Sequence, residues 1–213
     1  MPLFCYSLFM YLPPQFNQPQ HAAAIVREHP FASLVSTDED GFPFVTHLPL
    51  KLIEEGDQPV ALLGHCARGN PHAQYLQARP QALVTFMGPQ AYMSPAVYPD
   101  LQRVPTWTYL AVHARVEARM LDGDEAKDAM LKQLIADHEP AYAPQWRALP
   151  ESYTHAMLNG IVAFELKIVE LQTKVKINQH RPESHAAMHA AYARGGEQEK
   201  ALAQWMQRLG MVA

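Results

Sequence analysis

The chain has 213 residues, 48% of them apolar and 18% charged, with a net charge of −4. That composition suits one globular core with a small helical appendage and excludes a disordered chain. It also lacks the basic face needed to grip phosphates along a duplex, so direct DNA binding is not expected.

The first nine residues, Met1–Phe9, read as a disordered extension, with Met10 as a second candidate start. The apolar stretch Met1–Leu12 has no positive leading region and is too short to span a bilayer, which takes about 20 apolar residues, and no other run reaches that length. Cys5 and Cys66 form no disulfide framework and fit a reducing cytoplasm. A short helix is expected from Pro19, with Ala22, Ile25 and Val26 on its apolar stripe and Pro30 as its stop. Phe31–Thr37 and Phe44–Ile53 read as a hairpin about the Asp38–Gly41 turn. Further strands follow over Val60–His65 and Ala82–Met87, separated by a helix over Asn70–Gln77.

The clearest strand is Thr108–Leu121, where Val112, Ala114 and Val116 alternate with His113, Arg115 and Glu117. A helix over Asp122–Glu139 has Asp122 as its cap and Met130, Leu134 and Ile135 on one face. The last two strands are expected over Ile161–Leu171 and Thr173–Asn178, and the tail is helical with a break at Gly195-Gly196. About seven short strands with a few helices make a small antiparallel barrel, mainly β.

The segment from Leu63 to His72 carries the strongest chemical signal. A strand ends there, a helix begins, and the turn between them holds His65, Arg68 and Asn70. A helix start plus an arginine fork suits a terminal phosphate; the alternative is that Asn70 only caps the helix and Arg68 is solvated. Thr46-His47-Leu48-Pro49-Leu50 clusters polar groups within a strand, and Pro105–Tyr109 opens the long one. On its own, Trp107 reads as a core residue. His185 and His189 lie four apart on the tail helix but lack a third ligand, so no metal site is expected. There is no phosphate-binding glycine motif and no serine in a nucleophile elbow, and the catalytic residues stay unassigned.

Taken in order, five segments resemble one family, the PaiB-type FMN-binding negative transcriptional regulators, within the wider split-barrel class that includes pyridoxamine-phosphate oxidase. They are Met-Tyr-Leu-Pro-Pro-Gln-Phe, Thr-His-Leu-Pro, Gly-His-Cys-Ala-Arg-Gly-Asn-Pro, Val-Pro-Thr-Trp-Thr-Tyr and Lys-Ile-Asn-Gln-His-Arg. The resemblance implies a split β-barrel with a six-stranded antiparallel core and peripheral helices, spanning 10–182 with a helical insertion at about 122–139. A helical tail over 183–213 would follow. It further implies a homodimer with two FMN sites at its interface. Thr46, His47 and Leu48 would lie beside the isoalloxazine ring, His65, Arg68 and Asn70 on the phosphate side, and Trp107, Lys176 and Gln179 would come from later strands, some in the partner subunit. The phosphate-turn lysine of wider split-barrel enzymes is replaced here by His65 and Arg68, and the arginine set for a phosphorylated substrate is missing. The functional expectation is a regulator or sensor of gene expression acting indirectly, through flavin state, a small metabolite or a protein partner. The alternative is an FMN-dependent oxidoreductase passing electrons from a nicotinamide donor to a small acceptor.

Overall fold

The computed structural model describes residues 9–100 and 102–212. The expected extension, Met1–Phe9, lies outside the described residues except for Phe9. Seven strands run in chain order: β1 Phe31–Thr37, β2 Pro43–Pro49, β3 Lys51–Glu55, β4 Gln58–Ala67, β5 Gln81–Met93, β6 Thr106–Leu121 and β7 Ile161–Lys176. Their hydrogen-bonded order, β2-β1-β5-β6-β7-β4-β3, is open. The helices are α1 Ala22–Glu28, α2 His72–Ala78, α3 Asp124–His138, α4 Ala143–Ala148, α5 Glu151–Asn159, α6 His185–Ala193 and α7 Glu197–Arg208. The protein is therefore mainly β with peripheral helices, as the pattern predicts.

The sheet has seven strands where the resemblance implies six, and the reason lies at Leu50. The expected strand Phe44–Ile53 breaks there into β2 and β3. The Leu50 N–H still donates to the Pro30 carbonyl at 2.9 Å, one step beyond the Phe31↔Pro49 pair, and from Lys51 the chain pairs with β4 instead of β1. The Leu50 side chain is buried, so the chain turns over a fixed apolar point. Conversely, the two strands expected at the C-terminal end are the single β7, which runs on through Gln172, Thr173 and Lys174; the backbone turns away only at Asn178, whose φ is 64°.

The described residues group into two compact units. A central unit holds Pro30–Thr85 and Ala114–Leu171. A terminal unit holds the chain up to His29, Phe86–His113 and everything from Gln172.

In the central unit, β1 and β2 pair antiparallel from Phe31↔Pro49 to Thr37↔Pro43. Their turn is held by Asp38, whose carboxylate accepts from the N–H groups of Asp40 and Phe42. β3 pairs with β4, and β4 with β7. At Gly64 a Cβ would run into the Cδ2 methyl of Leu50, so any larger residue there would have to displace that buried side chain. α3 packs Met130, with Leu131 and Leu134, against Leu63 and Ala163. It starts at Asp124 behind Gly123, and Asp122 makes no side-chain cap.

In the terminal unit, α1 buries Ala22, Ile25 and Val26, the stripe expected from spacing. α6 and α7 bury Met188, Tyr192, Leu202, Trp205 and Met206. The Tyr192 hydroxyl lies 2.7 Å from the Thr108 hydroxyl, which in turn donates to the Ala91 carbonyl. Arg208 pairs with Glu28 at 2.5 Å and lies over the Trp205 ring.

Candidate functional site

Of the nine residues singled out from sequence, six lie in the central unit and three in the terminal unit, so the structure places them as two sets.

The central set is built on β2 and the β4–α2 turn. Period two along β2 buries Leu48, half-buries Thr46 and exposes His47. His47 Nδ1 lies 3.0 Å from the Ser33 hydroxyl, across the β1–β2 ladder. β2 ends the strand order, and an edge strand presents a row of main-chain donors and acceptors.

At the turn, Asn70 is the organiser. Its carboxamide oxygen accepts from the His72 N–H at 3.0 Å, and its Nδ2 donates to the Thr46 hydroxyl at 3.1 Å. His72 Nδ1 lies 2.8 Å from the same hydroxyl. Thr46, Asn70 and His72 are thus one hydrogen-bonded cluster joining β2 to α2. The cap reading of Asn70 and its placement beside Thr46 hold together.

His72 is the residue that sequence reasoning missed. It is buried, its ring packs edge-on to Phe44, and its Nε2 has no partner among the described residues. Burial lowers its pKa from 6.5 to about 4, so it is neutral at physiological pH. The signal available was a histidine two residues after the cap asparagine; its place on the apolar face of a short helix concealed it.

His65 is half-buried and its pKa is also lowered by burial, so it offers a neutral imidazole rather than a charge. The permanent charge at the turn belongs to Arg68, which is exposed. Its Nε donates to the Asn159 carbonyl and its Nη2 to the Ile161 carbonyl at 3.4 Å, tying the turn to the α5–β7 junction.

The terminal set lies at the start of β6 and the end of β7. Trp107 is 53% exposed, which corrects the core reading: the strand's alternation buries its neighbour Thr108 instead. The Lys176 ammonium donates to the Thr106 hydroxyl at 2.6 Å and to the Trp107 carbonyl at 2.7 Å. Burial, then the neighbouring Lys174 charge, lowers its pKa. Gln179 faces inward to its own chain. Its oxygen accepts from the Ile177 N–H, and its Nε2 donates to the carbonyls of Val175 and Gln15.

Residues 10–170 match the family model described as "Putative FMN-binding domain". The chain belongs to this family. It is 35% identical over 178 residues to the "Protease synthase and sporulation protein PAI 2" of Bacillus subtilis, covering 82% of this chain and 84% of that protein. Among solved structures, it resembles the flavocytochrome Anf3 of Azotobacter vinelandii (TM-score 0.58, 16% identity, 75% of this chain and 68% of that one). It also resembles the FAD and heme binding protein of Mycobacterium smegmatis (TM-score 0.57, 17% identity, 75% and 72%). At those identities the likeness concerns the fold alone. The resemblance read from the five segments is thus borne out, with the split-barrel class and FMN as the cofactor.

The residues present fit that cofactor. An edge strand with free main-chain groups suits the polar edge of a flavin ring. The buried, unpartnered His72 Nε2 beside the Thr46–Asn70 pair is a polar atom that lacks what a bound group supplies.

Proposed function

We propose that this protein binds FMN as a homodimer and acts as a flavin-dependent regulator or sensor of gene expression that does not itself contact DNA. The observation that carries the flavin site is the Thr46–Asn70–His72 cluster, with its buried unpartnered nitrogen, next to the exposed Arg68. In this reading Arg68, Asn70 and His65 hold the phosphate. Arg68 supplies the charge and the neutral His65 and Asn70 supply directional contacts. Thr46, His47 and Leu48 present the backbone of β2 to the ring edge. Trp107, Lys176 and Gln179 complete the site from later strands, some of them in the partner subunit. FMN, once bound, supplies one- or two-electron chemistry; the chain binds and orients it and excludes water.

The indirect route rests on charge and packing. The net charge is −4. The tail helix α7 carries Glu197 and Glu199 in its first turn and buries Leu202, Trp205 and Met206 within its own unit, so it is not a free recognition helix. The name of the Bacillus subtilis relative, "Protease synthase and sporulation protein PAI 2", mentions sporulation, which is consistent with a regulatory role. Signal would pass through flavin state, a small metabolite or a protein partner. A gel-shift with purified protein is expected to show no sequence-specific band; salt-sensitive specific binding would contradict the indirect route.

Exchanging Arg68→Ala is expected to weaken FMN binding by roughly tenfold or more, since a charge-assisted contact is typically worth about 1.5–3 kcal/mol. Fluorescence quenching of titrated FMN reads this directly, and an unchanged affinity would remove Arg68 from the site.

Lys176 favours a second reading. An ammonium fixed by Thr106 and Trp107 next to an exposed indole could flank a flat acceptor, as an FMN-dependent oxidoreductase requires. FMN-dependent oxidation of NADH or NADPH in steady state would favour this reading over the regulator.

A further inference from the structure

The terminal unit contains a cavity of about 520 Å³ lined by Met10, Tyr11, Met87, Gln90, Tyr109, Ala111, His113 and Lys174. None of these is among the residues assigned to the flavin. The size lies in the range of small-molecule sites, roughly 300–1,000 Å³.

Lys174 is the unusual member. It is only 6% exposed, yet no carboxylate pairs with it among the described residues. Its ammonium donates to the Tyr11 carbonyl at 2.8 Å and lies 5.2 Å from the Tyr11 ring centroid and 5.4 Å from that of Tyr109. A lysine ammonium has three donors, and the carbonyl takes one. Ring faces attract a cation, but they do not neutralise it. A buried ammonium without an anion is costly, and a bound anion offsets that cost. The next inward residue on the same strand face, Lys176, places a second ammonium 5.8 Å from the Tyr109 centroid, which adds to the positive potential.

The rest of the lining selects the body of the ligand. Met10, Met87 and Ala111 are apolar, and thioethers pack well against aromatic rings. His113 adds one polar atom: its Nδ1 is buried and has no partner among the described residues. Burial lowers its pKa, opposed by a hydrogen bond with the Phe9 main chain and aided by the Lys174 charge, so it does not add a second buried charge to the lining.

We propose that this cavity binds a small aromatic monocarboxylate, with the carboxylate on the Lys174 ammonium and the ring among Met10, Met87 and Tyr109. The proposal goes beyond the flavin reading and does not depend on it, because the residues that would hold the ligand all line the cavity within the terminal unit; Lys176, assigned above to the flavin site, adds only to the potential.

Equilibrium dialysis of the full-length protein with benzoate, and with benzamide as the uncharged isostere, tests it. Benzoate is expected to bind saturably at one per chain, and benzamide at least tenfold more weakly. Lys174→Met, which keeps the stem and removes the charge, is expected to lose benzoate binding by tenfold or more while its circular dichroism stays that of the parent. Absence of saturable benzoate binding, equal binding of benzamide, or full binding by a folded Lys174→Met protein would each overturn the proposal. If Lys174→Met does not fold, the comparison of the two ligands on the unaltered protein decides alone. A parallel titration with FMN reports on the flavin site independently.

Discussion

Asn178 shows how much one side chain can carry. It adopts φ 64°, a conformation that asparagine tolerates better than most residues with a Cβ. Its Nδ2 donates to the Ser184 hydroxyl at 2.8 Å, its Oδ1 accepts from the Tyr98 hydroxyl at 3.1 Å, and its carbonyl lies 3.1 Å from His185 Nε2. Asn178→Ala is therefore expected to cost about 2–4 kcal/mol, combining left-handed strain with two lost hydrogen bonds. Urea unfolding measures this; a loss under 1 kcal/mol, on the order of one average hydrogen bond, would contradict it. Thr46→Val acts differently, leaving Asn70 Nδ2 and His72 Nδ1 without the hydroxyl they share. The expected cost is about 1–3 kcal/mol in the same assay.

His72 gives a pH dependence whose sign follows from burial. Its pKa is about 4 folded against 6.5 unfolded. Between those values the unfolded chain binds more protons, so stability falls as pH drops from 6.5 towards 4 and levels off below. His72→Gln is expected to flatten that segment of the stability curve. At this scale the sequence showed Asn70 and Thr46 as polar residues in an informative turn and strand. It did not show that they touch, because their contact is made across 24 positions of chain.

Element boundaries followed local chemistry wherever local chemistry decided them. The Asp38–Gly41 turn, the alternation of β6 and the α1 stripe are all set by near neighbours, and all three stand. The β2–β3 break was hidden because it is a change of partner, from β1 up to Pro49 to β4 from Lys51, and both partners are distant in the chain. The same corner explains Gly64. Gly64→Ala places a methyl on Leu50, which is buried and has little room to move. Overpacking of this kind typically costs about 1–3 kcal/mol. Thermal unfolding of Gly64→Ala checks it, and the companion Leu50→Ala, Gly64→Ala pair should recover part of the clash, though not the apolar burial lost at Leu50.

For the whole molecule, family and cofactor were readable because five short segments occur in one order, each weak alone. The burial state of single aromatic residues was not readable: Trp107 looks like core by type and is half-exposed in place. A dimer with shared flavin sites would give that exposed indole a partner surface. Sedimentation equilibrium is expected to show two chains per particle, with Trp107→Ala shifting the equilibrium towards monomer.

The central claim is that the chain holds FMN, and a visible absorption spectrum tests it most directly. Purified protein is mixed with FMN, desalted and scanned. The account predicts a retained flavin band corresponding to about one FMN per chain, reduced in Arg68→Ala. A protein that is folded by circular dichroism but keeps no flavin after desalting would contradict it.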